Sequence, residues 1–323
     1  MPLIQNSTYN PPRFFSNGHL QTVYQTLFRK VEGVKYQRER IETPDGDFLD
    51  LDWSLVDSEK LVILIHGLEG SSNAVYIKAM VKILNKNGFD TVSMNMRGCS
   101  GASNKLLRAY HSGATEDLET VVSHILKTKP QKKIGIVGFS LGGNLTLKYL
   151  GEQGEKVAPK ICGAVTFSVP CDLLGSSFEL KKPKCKMYTK RFLIRLGRKM
   201  KIKSEQFPNK IDFEKVKTLK NLSQFDDFFT APVHGFKDAE DYYKKCSSKQ
   251  FLPKIQIPTL LVNADNDPFL SQSCFPIEEA KANKNFSLEI TDSGGHVGFV
   301  SFSENEFWYE KRAVEFLNSV IVN

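Results

Sequence analysis

The sequence predicts an α/β fold in which a mostly parallel central sheet carries helices on both faces, with a helical cap inserted late in the chain. Three observations predict it. Short apolar runs that suit strands alternate with stretches of helical periodicity along most of the 323 residues. The most apolar run, Leu61–Ile65, has no polar alternation and is typical of a buried strand in a parallel sheet. The alternation stops at about Asp172 and resumes after about Gln250, which indicates an insertion.

The strands are predicted from apolar runs that end in turn residues. Pro44-Asp45-Gly46 separates the first two runs and predicts a hairpin. The predicted strands are Tyr36–Ile41, Phe48–Leu55, Leu61–Ile65, Thr91–Met96, Ile134–Val137, Ile161–Val169, Ile257–Asn263 and Phe286–Ile290.

The helices are predicted from apolar spacing and from signals at their ends. Thr115 is expected to cap a helix to about Lys127, because Glu116 and Asp117 give it an acidic first turn. Residues 1–30 are predicted only to turn at Phe14–Gly18. We expect one domain over residues 1–323, with the cap at about 172–250. The other predicted helices are Ala74–Asn87, the stretch after Ser140 with Leu145, Leu147 and Leu150, Cys274–Lys281 and Phe307–Val320.

Composition and charge argue against several functional classes. A hydrophobic content of 41% is ample for a full core, and no run of about 18 apolar residues predicts a membrane-spanning helix. The net charge of +8 is unevenly placed, because Lys181–Lys203 holds 11 Lys or Arg and no acidic residue. Without that segment the chain carries −3, so binding of nucleic acid by the whole protein is not expected.

Local motifs predict the cellular compartment of the protein and whether it needs a cofactor. The opening MPLIQNSTYNPPRFF lacks the basic start and apolar core of a signal peptide, which predicts a cytoplasmic location. Six scattered cysteines without a C-x-x-C pair are expected to be reduced. No metal-ligand spacing, P-loop or dinucleotide fingerprint is found in the sequence, so we expect neither a metal nor another cofactor.

A serine lies at the sharpest predicted turn, in Gly138-Phe139-Ser140-Leu141-Gly142 between a buried strand and a helix. The two glycines remove side chains that would clash in such a turn. The G-x-S-x-G pattern is a weak signal by itself, but its position between strand and helix is the context that supports a nucleophile.

A serine hydroxyl needs a base, and the base needs an orienting acid. In strand–turn–helix sites of this kind the chain order is serine, acid, histidine. Of the two histidines after Ser140, His296 follows the last predicted strand, whereas His234 lies in the cap. Asp267 is preferred as the acid because Pro268 would fix the turn beyond it. Asp265 remains the nearest rival.

The predicted chemistry is acyl transfer. Ser140 attacks an ester carbonyl, His296 takes the proton, and Asp267 orients the imidazole. The backbone N–H groups of Leu68 and Leu141 are the expected oxyanion donors.

The remaining candidates receive structural interpretations. His66 is expected to order the oxyanion loop rather than act as a base, and Cys99 to be a small packing residue. Arg97 and His111 are expected to hold loops near the mouth of the site.

These residues resemble the α/β-hydrolase superfamily, and within it the YheT-like branch, also called the AB hydrolase 4 group. The resemblance covers about residues 11 to 299 and implies a carboxylic-ester hydrolase whose triad matches Ser140, Asp267 and His296. The family often carries two adjacent aspartates where this chain has Asn266-Asp267. Substrates in this branch range from short acyl esters to phospholipids. The matching stretches are PPRFFSNGHLQT, HGLEGSS, MNMRGCSG, YHSGATEDL, GFSLGGN, APVHGFKDAEDYY and NADNDPF.

Three functions therefore stay in view. The first is a serine esterase for short-to-medium acyl esters. The second is a lipase or phospholipase that contacts a membrane surface weakly through Lys181–Lys203. The third is a protein that binds an acyl ligand without turnover. The basic segment is predicted to be either a helix that lies on an anionic membrane surface or, in the preferred interpretation, a cap helix that packs its apolar stripe over the site and exposes its charged face to solvent. Its apolar residues, Tyr188, Phe192, Leu196 and Met200, recur every four positions, with Lys190, Arg191, Arg195, Arg198 and Lys199 largely on the other side.

Overall fold

A nine-stranded sheet crosses the part of the chain that the computed structural model describes, residues 2–4, 6–302 and 305–321. Its strands are β1 (Leu3–Ile4), β2 (Gln37–Glu42), β3 (Phe48–Ser54), β4 (Lys60–Ile65), β5 (Asp90–Asn95), β6 (Lys133–Phe139), β7 (Ile161–Phe167), β8 (Thr259–Ala264) and β9 (Phe286–Thr291). They follow the order β1-β9-β8-β7-β6-β4-β5-β3-β2. All pairings are parallel except β2 with β3 and β3 with β5, so the predicted sheet and hairpin are confirmed.

The helices of the described residues connect the strands and build the cap. They are α1 (Gly18–Phe28), α2 (Val75–Lys86), α3 (Thr115–Thr128), α4 (Leu141–Gln153), α5 (Leu173–Lys181), α6 (Lys186–Gln206), α7 (Phe213–Thr218), α8 (Leu222–Phe225), α9 (Ala231–His234), α10 (Ala239–Cys246), α11 (Ile277–Ala282) and α12 (Trp308–Val320). The helices predicted from the sequence are present with small shifts at their ends. Parts of the predicted single domain, residues 1, 5, 303–304 and 322–323, lie outside the described residues.

The prediction for the start of α3 is wrong in one detail. Ala114 is the N-cap residue, and no side chain caps this helix. Thr115 is already the first helical residue, and its hydroxyl donates to a Glu152 carboxylate oxygen at 2.7 Å. Glu116 and Asp117 form the expected acidic first turn.

The amino-terminal region contains two elements that the sequence did not predict, β1 and α1. Strand β1 pairs with β9 and forms one edge of the sheet. Helix α1 begins after Asn17, whose side chain accepts the Leu20 N–H at 3.0 Å. Its buried face carries Gln21 and Gln25 rather than apolar residues, and hydrophobic periodicity therefore misses it.

The core consists of two apolar layers, one on each face of the sheet. The alternating side chains of β4 show the division, since Leu61, Ile63 and Ile65 join one layer and Val62 and Leu64 the other. Helices α3, α4 and α11 cover the first layer, and α2 and α12 cover the second. Burial on both faces explains why β4 has no polar alternation.

The cap consists of the helices between β7 and β8, which lie over the carboxyl ends of the strands. It has small apolar clusters of its own, such as Leu196, Met200 and Phe229. The longest cap helix, α6, buries Tyr188, Leu196 and Met200 as predicted. No helix among residues 2–4, 6–302 and 305–321 is both long and apolar enough to cross a bilayer.

Candidate active site

The turn after β6 holds Ser140 in a backbone conformation that a residue with a side chain rarely adopts, with φ 52° and ψ −120°. The Ser140 N–H donates to the carbonyl of Phe167 on the neighbouring strand at 2.8 Å, which fixes the turn. Helix α4 begins at the next residue. The strained serine thus stands at the carboxyl edge of the sheet, where open α/β sheets bind ligands.

The flanking glycines are required by close packing rather than by their backbone angles. A Cβ on Gly142 would lie 2.4 Å from the Ile65 carbonyl oxygen and 2.5 Å from that of His66. A Cβ on Gly138 would lie 2.6 Å from the Gly142 carbonyl oxygen. The turn from Gly138 to Gly142 therefore packs closely, against the end of β4 and against itself, only because these two side chains are absent.

Replacing Gly142 by alanine is expected to lower the free energy of unfolding by about 3 kcal/mol, because backbone oxygens must move to admit the methyl group. The matched control is Gly197→Ala in α6, where a Cβ meets no atom within 4 Å. There the better helix former should raise stability by about 0.5–1 kcal/mol. Chemical denaturation of the two variants measures both effects. Equal stabilities would contradict the packing argument.

Two further loops bring His296 and Asp267 to Ser140. The His296 Nε2 lies 2.8 Å from the Ser140 Oγ, and its Nδ1 lies 2.8 Å from an Asp267 carboxylate oxygen. The other Asp267 oxygen accepts the Phe269 N–H at 2.9 Å. Because Asp267 is fully buried and the His296 side chain only 10% exposed, the bonds are shielded from water. The structure thus brings together the three side chains chosen from the sequence.

The rival residues do not join this chain of hydrogen bonds. Asp265 is exposed on the same loop, two residues before the buried Asp267. His234 lies in the cap with its ring nitrogens 2.8 Å from the Thr230 carbonyl oxygen and 2.9 Å from that of Ala109. The contacts of His234 are those of a structural residue.

Helix α1 and Asn266 support the histidine loop, and neither role is predicted by the sequence pattern. The His296 N–H donates to the Thr22 hydroxyl at 2.8 Å. Asn266 accepts the Gly295 N–H at 2.9 Å and donates to the Ser16 carbonyl at 2.7 Å. An aspartate at this position could not donate the second bond when ionised. In the sequence these residues are marked only by two of the matching stretches, PPRFFSNGHLQT for α1 and NADNDPF for Asn266.

The loop after β4 passes directly over Ser140. A Cβ on Gly67 would lie 3.1 Å from the Ser140 Cβ, and the Gly67 N–H is taken by the Tyr76 hydroxyl at 2.9 Å. Leu68 follows, and Leu141 opens α4 on the other side of the serine. Within the described residues, neither the Leu68 nor the Leu141 N–H donates to a protein acceptor. Both are therefore available to a ligand oxygen near Ser140.

His66 is a fully buried, neutral component of this loop. The Met96 N–H donates to its Nε2 at 3.2 Å, so the proton resides on Nδ1, which donates to the Gly67 carbonyl at 2.7 Å. Burial lowers its pKa to about 4. These contacts match the loop-ordering role expected from the sequence.

The same loop is attached to cap helix α6 through Glu69, a contact we call the Glu69 clasp. Lys199 donates to the Glu69 carboxylate at 2.7 Å, and Tyr110 donates to the same oxygen at 2.7 Å. Arg195 donates to the Glu69 carbonyl at 3.0 Å. Lys199 thus departs from the predicted solvent-facing side of α6. Helical spacing alone does not reveal the buried carboxylate beneath it.

Two other residues considered in the sequence have structural contacts. Arg97 is buried and forms ion pairs with Asp45, Asp47 and Asp117. Burial raises the pKa of the Cys99 thiol to about 11, which keeps it protonated and poorly reactive at neutral pH.

A largely apolar cavity of about 860 Å³, including its open mouth, extends from Ser140 beneath the cap. Most of its wall is hydrocarbon, contributed by Leu68, Leu173, Leu180, Phe192, Leu196, Leu222, Phe225 and Phe269. His111 also lines it rather than only holding a loop. Such a space beside a nucleophile suits an acyl chain.

One carboxyl group interrupts this apolar wall. Asp226 lies at the start of a π-helical turn, and it accepts hydrogen bonds from Thr230 at 2.7 Å and Tyr243 at 2.6 Å. Burial raises its pKa to about 6, and the two hydrogen bonds only partly offset that rise.

Asp226 predicts a pH dependence of stability. Its folded pKa of about 6 lies above the ordinary 3.8, so its protonated form favours the folded state at low pH. That contribution is lost as the pH rises from about 4 through 6. Relative to Asp226→Asn, the wild type should lose about 2 kcal/mol of unfolding free energy between pH 4 and pH 7. Denaturant titrations at each pH measure the difference, and parallel profiles would contradict it.

Comparison with known proteins agrees with this architecture. A family model for the alpha/beta hydrolase fold matches residues 60–301. YheT of Escherichia coli (strain K12), named as a candidate esterase, is 34% identical over 324 residues, covering 98% of this chain and 94% of its own. Phospholipase ABHD3 of Mus musculus is 33% identical, over 92% of this chain and 74% of its own. Monoacylglycerol lipase of Saccharomyces cerevisiae is 32% identical, over 93% and 78%.

Solved structures share the fold at lower identity. The esterase Pf2001 of Pyrococcus furiosus superposes with a TM-score of 0.60 at 20% identity, covering 99% of this chain and all of that one. Est1E of Butyrivibrio proteoclasticus gives 0.57 at 18% identity, covering 88% of this chain and all of that one. The chain therefore belongs to the α/β-hydrolase superfamily, in the branch that includes YheT.

Proposed function

We propose that this chain is a serine hydrolase that cleaves carboxylic esters through an acyl-enzyme. The observation that carries the proposal is the continuous series of hydrogen bonds from Asp267 through His296 to Ser140, with 2.8 Å at each step. The series ends at an apolar cavity, so a nucleophile and a space for an acyl group adjoin. Relatives named esterase, phospholipase and monoacylglycerol lipase favour the same class of reaction.

In the proposed first half-reaction, the Ser140 Oγ attacks the ester carbonyl carbon while His296 Nε2 accepts the hydroxyl proton. Asp267 holds the imidazole by its Nδ1–H and stabilises the imidazolium that forms. His296 then returns the proton to the leaving alcohol oxygen as the carbon–oxygen bond breaks. The product is an acyl-Ser140 ester and a free alcohol.

In the second half, His296 removes a proton from water, and the water oxygen attacks the acyl carbon. His296 then returns the proton to the Ser140 Oγ as the bond from that oxygen to the acyl carbon breaks, which releases the acid and restores the serine hydroxyl. In both halves the N–H groups of Leu68 and Leu141 would donate to the oxyanion. Two such preorganised donors usually contribute several kcal/mol of transition-state stabilisation. The scheme requires neither a metal nor another cofactor.

The proposed substrates are esters with short-to-medium acyl groups. The acyl chain would occupy the apolar cavity, whose cap residues Phe192, Leu196 and Phe225 limit its length. The ester itself would be either a small molecule or a lipid.

A second candidate is a lipase or phospholipase that works at a membrane surface. It is favoured by exposed apolar side chains among the basic residues of Lys181–Lys203, namely Met187, Ile194 and Ile202. A helix face of this kind binds anionic interfaces through both apolar burial and charge. The names of the two lipid-hydrolysing relatives point the same way.

Labelling by a fluorophosphonate, followed by hydrolysis of p-nitrophenyl esters of increasing chain length, tests the proposal. Labelling with turnover of short esters supports a soluble esterase. Turnover of long chains only, in a manner that requires vesicles and weakens with salt, favours the membrane candidate. A folded protein that is not labelled and hydrolyses no ester would instead be an acyl-ligand binder.

A further inference from the structure

A second cleft reaches Ser140 and His296 from outside the cap. One wall is formed by α1 and the loop that carries Gly67, and the other by α6. We call it the arginine cleft, because α6 contributes Arg191 and Arg195 to it. These two residues are four positions apart and therefore project from one face of the helix.

The arginine cleft carries positive charge that this chain does not neutralise. Across the described ranges, neither Arg191 nor Arg195 has a carboxylate within ion-pair distance. Glu69 is the acidic residue that lines the cleft, and its carboxylate is already bound by Lys199 and Tyr110.

The two guanidinium groups are close enough to influence each other. Partial burial lowers the pKa of Arg191, and the charge of Arg195 lowers it further. Arg195 is held in place by its bond to the Glu69 carbonyl at 3.0 Å. A pair of like charges is thus maintained at the mouth of the site, where a ligand anion would relieve their repulsion.

We propose that the arginine cleft binds a phosphate or carboxylate group on the alcohol half of the ester. This inference rests on the proposed function. The apolar cavity suits the acyl half, so the alcohol half faces the other opening at Ser140, beside the histidine that protonates it. Arginine forks bind both anions through paired, charge-assisted hydrogen bonds.

The test compares 1-butyrylglycerol with 1-butyrylglycerol 3-phosphate, which differ only in the charged group on the leaving alcohol. Wild type should prefer the phosphate ester in kcat/KM by about ten- to hundredfold. Arg191→Gln and Arg195→Gln should each lower that ratio about tenfold, and added salt should lower it in the wild type. Using the ratio removes any loss common to both esters, such as one caused by the Arg195 bond to the oxyanion loop.

Arg198→Gln is the matched control, since it removes one positive charge from the same helix outside the cleft. It should leave the ratio unchanged. If Arg198→Gln lowers the ratio as much as Arg191→Gln does, the effect is one of net charge and the proposed subsite is wrong. A wild-type ratio near one, with brisk hydrolysis of both esters, would also overturn it.

Binding separates this proposal from the proposed function. Calorimetric titration of glycerol 3-phosphate needs no turnover, and binding should disappear in the double arginine variant. Binding without ester hydrolysis would retain the subsite and reject the hydrolase. A further comparison, 1-oleoylglycerol 3-phosphate in neutral phosphatidylcholine vesicles, distinguishes the source of the anion. If the arginine-dependent preference for the phosphate ester is seen only in vesicles, the bound anion is a lipid headgroup. If that preference is seen only with the dissolved ester, the bound anion belongs to a soluble molecule.

Discussion

Ser140→Ala is expected to lower kcat for a p-nitrophenyl ester by about 10⁶-fold and to abolish fluorophosphonate labelling. The reason is chemical, because alanine offers no oxygen to attack the carbonyl and His296 then has no proton to accept. The variant should fold normally, since the Ser140 side chain contacts His296 and the strained turn is held by backbone bonds. Stopped-flow or steady-state kinetics on the purified variant measure the effect.

The control is the double variant Ser140→Ala with His296→Ala. Because the two residues would act as one unit, the double variant should be hardly slower than either single variant. If the loss in kcat of the double variant were the product of the two single losses, the residues would act independently. Substantial turnover by Ser140→Ala with a normal melting temperature would reject the proposed nucleophile.

Asp267→Asn is expected to lower kcat by about 10⁴-fold with little change in KM. An asparagine can still accept the Phe269 N–H, but its amide then points N–H groups at His296 Nδ1. The imidazole would be held with its proton on Nε2, the nitrogen that must accept the proton of Ser140. The activity is therefore lost because the imidazole adopts the wrong tautomer, while the structure of the site is retained.

Asp265→Asn is the matched control for this change, since it makes the same substitution two residues away on an exposed side chain. Its kcat should stay within about twofold of the wild type. The opposite ranking of the two variants would transfer the orienting role to Asp265. A comparison of pH–rate profiles adds a second measurement, because the wrong tautomer lowers the rate at every pH.

The central fold could be predicted because its signals are local. Strand β4 is apolar without alternation, and the turn that holds Ser140 combines a strand, two glycines and a helix within a few residues. That turn predicts Ser140, the loop after the last strand predicts His296, and Pro268 favours Asp267 over Asp265 as the acid. The structure brings these three side chains together. What the pattern could not show is the depth of the cavity or the position of Asp226 in its wall, since both depend on how the cap helices pack.

Helix α1 illustrates a different limit. Its inner face uses polar side chains, and Gln21 accepts a hydrogen bond from Tyr9 at 2.7 Å and from the Val300 N–H at 3.1 Å. Amides bury well when their hydrogen bonds are satisfied, but they give no apolar periodicity. Hydrophobic periodicity therefore does not predict the helix that supports His296, although its first residues lie in the matching stretch PPRFFSNGHLQT.

The Glu69 clasp makes the cap and the oxyanion loop one mechanical unit. Glu69 directly follows Leu68, and it is bonded to α6 through both its carboxylate and its carbonyl. Any outward swing of α6 would pull on the residue next to a proposed oxyanion donor. Outward movement of α6 would then also displace the Leu68 N–H from Ser140, so opening of the cap and loss of activity would occur together. A substrate small enough to enter without displacing α6 would be hydrolysed. A substrate that displaces the helix would be bound but not hydrolysed.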